Sequence, residues 1–334
     1  MIQLIRNQSF LTKIISACLL LIVMLIISII YGATNTTLLD VWLALFSNSK
    51  TEQSNVIRNI RVPREIGAVF VGAALAVSGA IMQAITKNPL AEPGLLGLSA
   101  GASAMLAITY AFAPGLSYLG IVVACFIGAL TGTILVFSIS ATKKGKLSPF
   151  RIVLAGAAVS AFLIAVEQSI GIYFKVSKNI SMWTAGGLIG TTWEQLEIMI
   201  PFILGGIVIA IILSRQLTIL SLNEDVAVGL GQNVIVVKMI LLLVIVVLAG
   251  TAVALVGNIA FVGLMVPHMV RVLTGTDYRF IIPMSAIVGA ILMVFADTIA
   301  RTINAPFETP IIAIVAVIGL PFFLIIIRKG VHFS

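Results

Sequence analysis

The chain has little charge for its length. Charged residues make up 10% of its 334 residues and hydrophobic residues 60%, with a mean hydropathy of +1.19. A soluble domain carries about a quarter charged residues, so most of this chain must face lipid or other apolar helices. This scarcity excludes a soluble catalytic domain. The net charge of +8 is then expected from cationic residues that flank membrane helices, and not from binding of nucleic acid.

Cysteine and histidine are equally scarce, with two of each. Cys18 and Cys125 both lie in apolar segments, where each is expected as a small buried hydrophobe. His268 and His332 are too few to build a metal site, so no metal is predicted. The sequence has no paired carboxylates with histidines and no nucleophile motif, which predicts a protein that is not an enzyme.

A nucleotide-binding loop is also missing. The nearest candidate, residues 143–147 (KKGKL), lacks the upstream glycine and has leucine where serine or threonine should follow the lysine. No bound cofactor is therefore predicted. If ATP drives this protein, ATP and Mg²⁺ must be held by another subunit.

Long apolar runs, by contrast, recur along the whole sequence. A membrane-spanning helix needs roughly 20 mostly apolar residues. Ten helices are predicted, at 14–32, 62–84, 94–112, 117–140, 149–172, 194–214, 233–256, 259–274, 280–301 and 308–328. The first is interpreted as a retained helix because it lacks a clear signal-peptide cleavage site. The eighth is short and contains Pro267, which predicts a partial crossing.

The predicted fold is an all-α polytopic membrane protein in which residues 1–334 form one domain. Basic residues predict its orientation. With both termini inside, thirteen of the 20 Lys and Arg residues fall on the cytoplasmic side, and Lys143, Lys144 and Lys146 form the strongest anchor. The predicted location is the cytoplasmic membrane.

Two segments echo each other in the two halves of the chain. Residues 72–79 (GAALAVSG) and 250–257 (GTAVALVG) share four identities in register, on helices predicted to run in opposite directions. This favours an inverted repeat, a transporter architecture, with repeats at about 62–172 and 233–328. Small residues four apart also predict close helix packing; they are Gly97 with Gly101, Gly128 with Gly132 and Gly186 with Gly190.

Residues 215–232 are too polar to span a membrane. Asn223, Glu224 and Asp225 offer a helix start with acidic residues in the first turn, and Gly229 and Gly231 offer a stop. One short helix at the cytoplasmic surface is predicted. Such helices often lie on lipid, but an acidic start suits a protein partner better than an anionic leaflet.

Three arginines lie at outer helix ends, against the positive-inside tendency. They are Arg61, Arg64 and Arg301. They could snorkel to lipid headgroups. The sharper hypothesis is a ring of cations that receives carboxylates from an extracellular partner, since guanidinium groups bind carboxylates bidentately.

Few ionisable residues lie within the helices, and such residues are functional candidates. Asp297 lies four residues before Arg301, which predicts an ion pair on one helix face. Glu167, next to Gln168, has no basic partner nearby in sequence and is the better candidate for a transport pathway. Packing against another polar helix remains the alternative for Glu167.

A tight corner follows the second predicted helix. Residues 88–94 (NPLAEPG) contain two prolines and a glycine, which cannot lie in a helix interior. With three further motifs, this corner resembles the permeases of ABC importers for iron-siderophore complexes and vitamin B12. The four motifs are RVPR (61–64) with 72–79; NPLAEP (88–93) with Gly97; GNIAFVGLMVPH (257–268) with Arg271; and ADTIAR (296–301) with ETP (308–310) and GLPF (319–322).

The resemblance implies the type II ABC importer permease fold, with ten helices per subunit. It implies a second permease subunit, identical or related, two cytoplasmic ATPases and an extracellular or periplasmic substrate-binding protein. Its structural motif residues here are Asn88, Pro89, Glu92, Pro93, Gly97, Pro267, His268, Arg271 and Asp297.

The resemblance also implies residue roles. Arg61, Arg64 and Arg301 correspond to arginines that dock the binding protein. Residues 221–231 look like the coupling helix that contacts the ATPase, with Asn223 where the family commonly has glycine. The coupling residues are Leu222, Asn223, Glu224, Ala227, Leu230 and Gly231, and the pathway candidates are Ser160, Glu167, Gln168, Thr142 and Ser148.

The function implied by the resemblance is import of a ferric siderophore, with iron present only as chelated cargo. Vitamin B12 and heme are alternative cargoes. An ion-coupled secondary transporter using Glu167 and Asp297 is the alternative from another class.

Overall fold

The structure of the chain is a computed structural model, and it describes residues 9–31, 36–47, 51–140, 149–185, 187–222, 224–305 and 307–328. All ten predicted helices are present. They are α1 (Phe10–Ile30), α2 (Val62–Thr86), α3 (Leu98–Phe112), α4 (Tyr118–Ser140), α5 (Pro149–Tyr173), α6 (Trp193–Ile212), α7 (Val234–Val256), α8 (Val262–Thr274), α9 (Tyr278–Thr302) and α10 (Ile311–Arg328).

Two of the ten helices, α3 with 15 residues and α8 with 13, are shorter than a full membrane crossing, while seven others are long and apolar enough to span. The short α8 was expected. The short α3 was not, because the prediction began this helix at residue 94. A turn of 3₁₀ helix at Pro93–Leu96 comes first, and Gly97 in the left-handed region (φ 74°) separates it from α3.

Several shorter helices between the long ones were not predicted. Leu38–Phe46 begins with a capping box in which Thr37 and Asp40 satisfy each other's backbone N–H groups. A turn of π-helix at Ile57–Arg61 joins Glu52–Val56 to α2, so that helical structure runs from Glu52 to Thr86. Ser177–Thr184 and Ser214–Leu222 are also helical.

The bundle has two ends, which we name from α2: the Val62 end, where α2 begins, and the Thr86 end, where it ends. α2 is buried along nearly its whole length and packs against α8 and α9. A Cβ placed on Gly79 would overlap the backbone of Gly263 in α8, and one on Gly72 would overlap that of Gly289 in α9. Glycine at these positions lets the helix backbones touch.

The glycines of α3 and α4 make a second close contact, as their spacing predicts. A Cβ on Gly101 would overlap the carbonyl of Gly128, and one on Gly128 would overlap that of Gly101. The predicted close helix packing is not found at Gly190, which lies in a turn with no heavy atom near its Cβ position. Gly186 lies outside the described residues.

The contacts of the two halves mirror each other. α2 packs against α8 and α9, while α7 packs against α3 and α4. Exchanging the two halves converts one set of contacts into the other. Such an exchange is expected of two repeats that comprise α2–α5 and α7–α10, and their inverted orientation stays a prediction.

The glycine contacts generate a prediction about stability. Gly79→Ala should lower the midpoint of thermal unfolding in detergent, because overpacking a backbone contact costs about 1–3 kcal/mol. Gly205→Ala in α6 is the matched control, since its added methyl group meets no atom within 4 Å. Alanine is also the better helix former, so this control should be neutral or stabilising. Equal midpoints for the two variants would contradict the proposed role of the contact.

Candidate functional site

Two of the short helices, α3 and α8, begin inside the bundle. Gly97, just before α3, lies against Gly132 of α4. Gly132 is eight residues before the end of α4, a distance of about 12 Å at 1.5 Å per residue. Gly263 at the start of α8 lies against Gly79, seven residues before the end of α2, or about 10 Å. The N-terminal end of each helix therefore lies inside the bundle, about 10–12 Å from the end of the neighbouring helix that it contacts.

A polar cavity of about 560 Å³ lies where these two helices begin. Its walls come from α2, α3, α5, α7 and α8, the short helix Ser177–Thr184, the corner after α2 with its 3₁₀ turn, and the chain that joins α7 to α8. The polar side chains that line it are Glu92, Ser99, Ser103, Ser160, Glu167, Thr184 and Asn258. Its size is that of a small-molecule site.

The corner after α2 closes this cavity and fixes α8. Asn88 accepts a hydrogen bond of 3.0 Å from the Leu90 N–H, which forms the turn. Glu92 Oε1 accepts one of 2.7 Å from the N–H of Phe261, the residue before α8. The carboxylate thus caps a helix in the other half of the chain. Pro89 lies in the turn, and Pro93 starts the 3₁₀ helix that ends at Gly97.

A polar network lies below α8 at the Thr86 end. Arg271 donates to Gln83 of α2 (2.7 Å) and to the Tyr278 hydroxyl of α9 (3.1 Å). Gln83 in turn donates to the carbonyl oxygens of Gly263 and Leu264. Pro267 lies within α8, and the His268 ring contacts Phe322 of α10. These residues hold α2, α8, α9 and α10 together.

Two of the pathway candidates, Ser160 and Glu167, line the cavity from α5. Gln168 is exposed and does not line it. Thr142 and Ser148 lie outside the described residues. Within the part of the chain that the structure describes, Glu167 makes no hydrogen bond or ion pair. Its carboxylate is half-buried and borders the cavity.

The three arginines at the Val62 end are buried, with Arg61 and Arg301 5% exposed and Arg64 6%. Arg64 donates to both carboxylate oxygens of Glu308 (2.7 and 2.9 Å) and to Asp297 (2.9–3.1 Å). Asp297 is fully buried, and its Oδ2 lies 3.0 Å from Arg301 Nε. The predicted ion pair within α9 is therefore present.

The same network reaches helix α1. Arg301 donates to the backbone carbonyl (3.1 Å) and hydroxyl (2.6 Å) of Ser28, and it pairs with Glu65. Arg61 donates to the carbonyl of Ile29 (2.6 Å) and to Thr36 (2.7 Å). We call Arg64, Glu65, Asp297, Arg301 and Glu308 the ion-pair network.

Docking of carboxylates from an extracellular partner on these arginines stays a prediction, but the arginines are buried and not exposed at the surface. The guanidinium groups of Arg64 and Arg301 face carboxylates of this chain and not water or lipid headgroups. The reason is geometric: α2 begins beside the end of α9 and the start of α10, so internal acids reach the arginines first.

Glu65, which belongs to the network, and Ser28, which accepts hydrogen bonds from it, were not predicted. Glu65 is 1% exposed. An acidic residue in a membrane helix directly after an arginine is the sequence signal that could have identified it. Ser28 carries no such signal, because serine is common in membrane helices.

The segment between α6 and α7 forms two short helices at the Thr86 end, not one as predicted. Ser214–Leu222 precedes the expected Glu224–Gly229. Gly231 (φ 78°) ends the second, whose backbone is closed by the Gln232 N–H donating to the Ala227 carbonyl. Asn223 lies outside the described residues.

This pair of helices presents an apolar surface. Leu222 and Leu230 are 70% and 67% exposed, and Val226 and Val228 are also exposed. Ala227 is buried against Leu220 and Val234, so it supports this surface without belonging to it. Glu224 forms a 2.6 Å ion pair with Lys238 of α7. We call the exposed set Leu222, Val226, Val228 and Leu230 the coupling surface.

Polar contacts fasten the coupling surface to α9. Thr218 donates to Asp277 Oδ1 (3.1 Å) and accepts from the Tyr278 N–H (2.9 Å). Hydrogen bonds from the Arg279 side chain hold the pKa of the Asp277 carboxyl below its ordinary value. Asp277 is therefore ionised at neutral pH. The first short helix is thus tied to the start of α9.

The described residues contain no group of three or more His, Cys, Asp or Glu side chains that could hold a metal ion. The features of the site are instead a polar cavity inside a helical bundle, a buried ion-pair network at one end and an exposed apolar surface at the other. This combination defines a multi-pass membrane transport protein.

The chain belongs to the FecCD transport family, whose sequence profile matches residues 20–329. It is 45% identical over 304 residues to the iron(3+)-hydroxamate import system permease protein FhuB of Bacillus subtilis, with 91% of this chain and 79% of the relative covered. It is 38% identical to the Fe(3+)-citrate import system permease protein YfmD of the same organism, with 97% of both chains covered. It is 37% identical to the hemin transport system permease protein HmuU of Yersinia pestis, with 93% and 94% covered.

Solved structures share the fold. A putative metal-chelate type ABC transporter in an inward-facing conformation matches with a TM-score of 0.84 and 28% identity, covering 96% of this chain and 99% of that one. PsaBC from Streptococcus pneumoniae matches with a TM-score of 0.62 and 21% identity, covering 81% and 92%. The chain is therefore a transport subunit with the ABC importer permease fold, and not an enzyme.

The ion-pair network generates a prediction. Asp297→Ala should destabilise the protein by about 3–5 kcal/mol, because it leaves two buried arginines without their shared carboxylate. Arg279→Ala is the control, since Arg279 and Asp277 form an exposed pair worth about 0–1 kcal/mol. Thermal unfolding of both variants in detergent checks this. A midpoint for Asp297→Ala no lower than that of the control would show that the network does not stabilise the fold.

Proposed function

We propose that this chain is the permease subunit of an ATP-driven importer that carries a ferric siderophore across the cytoplasmic membrane by alternating access. The observation that carries the proposal is the polar cavity where the short helices α3 and α8 begin, within a fold shared with iron-chelate permeases. A second permease subunit, two ATPases and an external binding protein complete the assembly. In this assembly the Thr86 end faces the cytoplasm and both termini are inside.

The coupling surface supports the placement of the ATPase. Four large apolar side chains exposed to water at a cytoplasmic surface are unfavourable unless a protein covers them. The surface is rigidly held, because Thr218, Asp277 and the Glu224–Lys238 pair tie its two short helices to α9 and α7. Motion of a bound ATPase would therefore be transmitted directly to α7 and α9, both of which pack against α2.

The ion-pair network supports a different role for the arginines from the one first expected. We propose that Arg61, Arg64 and Arg301 shape the surface on which the binding protein docks, by joining the ends of α1, α2, α9 and α10. A carboxylate of the binding protein could reach Arg64 only by displacing Glu308, whose side chain is 34% exposed. Direct docking on the arginines thus requires that Glu308 move aside.

The contacts also weaken the alternative of an ion-coupled transporter. That alternative requires two intramembrane carboxylates, Asp297 and Glu167. Asp297 is neutralised by two arginines, so Glu167 is the one of the two without a basic partner among the described residues. Uptake that survives loss of the ATPase and collapses with the proton gradient would favour that alternative.

Cargo is assigned by similarity. Relatives at 37–45% identity carry names that specify iron(3+)-hydroxamate, Fe(3+)-citrate or hemin transport. A ferric siderophore of the hydroxamate class is the cargo that we propose. Vitamin B12 and heme remain alternative cargoes. Uptake of each ⁵⁵Fe-labelled chelate or labelled vitamin by proteoliposomes that contain the complete importer would distinguish them.

The coupling surface generates a prediction. Leu230→Glu should lower ATP-dependent uptake at least about tenfold, because a charge buried at an apolar interface costs well over 1.4 kcal/mol. The ATPase should also dissociate during affinity purification of the permease. Transport and co-purification are the measurements.

Thr12→Glu provides the control, since it adds the same charge at an exposed position in the first turn of α1, where an acidic residue is favourable. This control should retain uptake. Ala227→Glu is not equivalent to Leu230→Glu, because it buries a charge inside the permease and should disturb folding. Normal uptake by Leu230→Glu would exclude this surface as the ATPase contact.

A further inference from the structure

The wall of the polar cavity is acidic. Among the residues that the structure describes, two carboxylates, Glu92 and Glu167, line it, and no lysine or arginine does. Its remaining polar groups are neutral hydroxyls and one amide, from Ser99, Ser103, Ser160, Thr184 and Asn258. A cargo in this cavity would therefore meet negative charge that no cation of the described lining balances.

The partial positive charges of the helix N-termini at the cavity balance only part of the negative charge of the two carboxylates. Each carries about half a positive charge. That of α8 is already capped by Glu92, which accepts from the Phe261 N–H. That of α3 begins at Gly97 without a side-chain cap, and its half charge is smaller than the unit charge of an ionised carboxylate at Glu167. The balance of fixed charge in the cavity stays negative.

Glu167 is positioned to act on a passing cargo. Within the described part of the chain it has no partner, whereas Glu92 is held by α8. Ser160 and Ile164 line the cavity from the same helix as Glu167, which places this face of α5 on the cavity wall. Low-dielectric walls strengthen the interaction between a fixed charge and a ligand compared with bulk water.

We propose that Glu167 selects cargo by net charge: it favours cationic and neutral iron(III) chelates and disfavours polyanionic ones. This inference rests on the proposed import function. Iron(III) trihydroxamates are neutral or cationic, whereas iron(III) tris-catecholates carry several negative charges. The cavity thus adds a charge filter to the recognition made by the binding protein.

The test compares three probes with one iron-binding core. They are an iron(III) trihydroxamate with a free terminal amine, its N-acetyl form and its N-succinyl form, which carry one positive charge, none and one negative charge. The permease is reconstituted in proteoliposomes with its ATPase and saturating binding protein, and ⁵⁵Fe uptake is measured. Because the binding protein is the same throughout, a change in the uptake ratio between variants reports on the permease.

The wild-type permease should take up the cationic probe faster than the anionic one. Glu167→Gln should reduce that ratio by roughly three- to tenfold, as expected for loss of one partly screened charge. Glu167→Asp should keep the ratio. Glu197→Gln, which removes an exposed carboxylate of α6 that does not line the cavity, is the matched control and should also keep it.

Ser160→Asp provides a second, independent variant if Glu167→Gln does not fold. It adds a carboxylate to the same wall and should increase the ratio of cationic to anionic uptake. A ratio unchanged by both Glu167→Gln and Ser160→Asp would overturn the charge filter while leaving import intact. Failure of the wild-type importer to take up any of the three probes would instead overturn the proposed hydroxamate cargo.

Discussion

A membrane protein must satisfy its own backbone wherever a helix is interrupted, because the bilayer core has no water to do so. The interruptions before α3 and α8 are the places where this chain meets that constraint. Glu92, from the corner after α2, accepts from the Phe261 N–H before α8, and Gln83 of α2 donates to the carbonyls of Gly263 and Leu264. These bonds join the first half of the chain to the second. The cavity exists because two helices begin at this depth, so the constraint and the proposed pathway have one origin.

Glycine and charge then fix the surrounding bundle in different ways. Gly79 and Gly72 bring α2 into backbone contact with α8 and α9. At the Val62 end, Asp297 lies between Arg64 and Arg301 and so joins α2 to α9, while Ser28 and Glu308 extend the network to α1 and to the start of α10. The backbones of α2, α8 and α9 are in direct contact at these glycines, and the buried ion pairs join α2 to α9. Conformational change therefore has to move α2, α8 and α9 together, which suits transmission from a surface attached to α7 and α9.

The sequence predicted the long helices well because each needs only one local property, an apolar run of sufficient length. The corner at residues 88–94 was equally clear, since two prolines cannot continue a helix. Short helices such as Leu38–Phe46 and Ser214–Leu222 were missed, because a helix of nine residues has no hydropathy signal of its own. Gly97 was recognised as part of a motif, but its left-handed conformation, which shortens α3, depends on how closely α4 approaches.

The features of the functional site were also predicted only in part from the sequence. From sequence alone, composition determined a multi-pass helical membrane protein, the spacing of Asp297 and Arg301 determined an ion pair, and the motifs determined the family. Only the tertiary structure decided that Arg64 and Arg301 are buried against Glu308 and Glu65, that Ala227 lies under the coupling surface while Leu230 lies on it, and that Glu167 borders the same cavity as Glu92. The reason is that hydropathy and helical spacing are properties of neighbours in the chain. Which carboxylate reaches an arginine first depends on residues more than 200 positions apart, brought together only by the packing of α2 against α9.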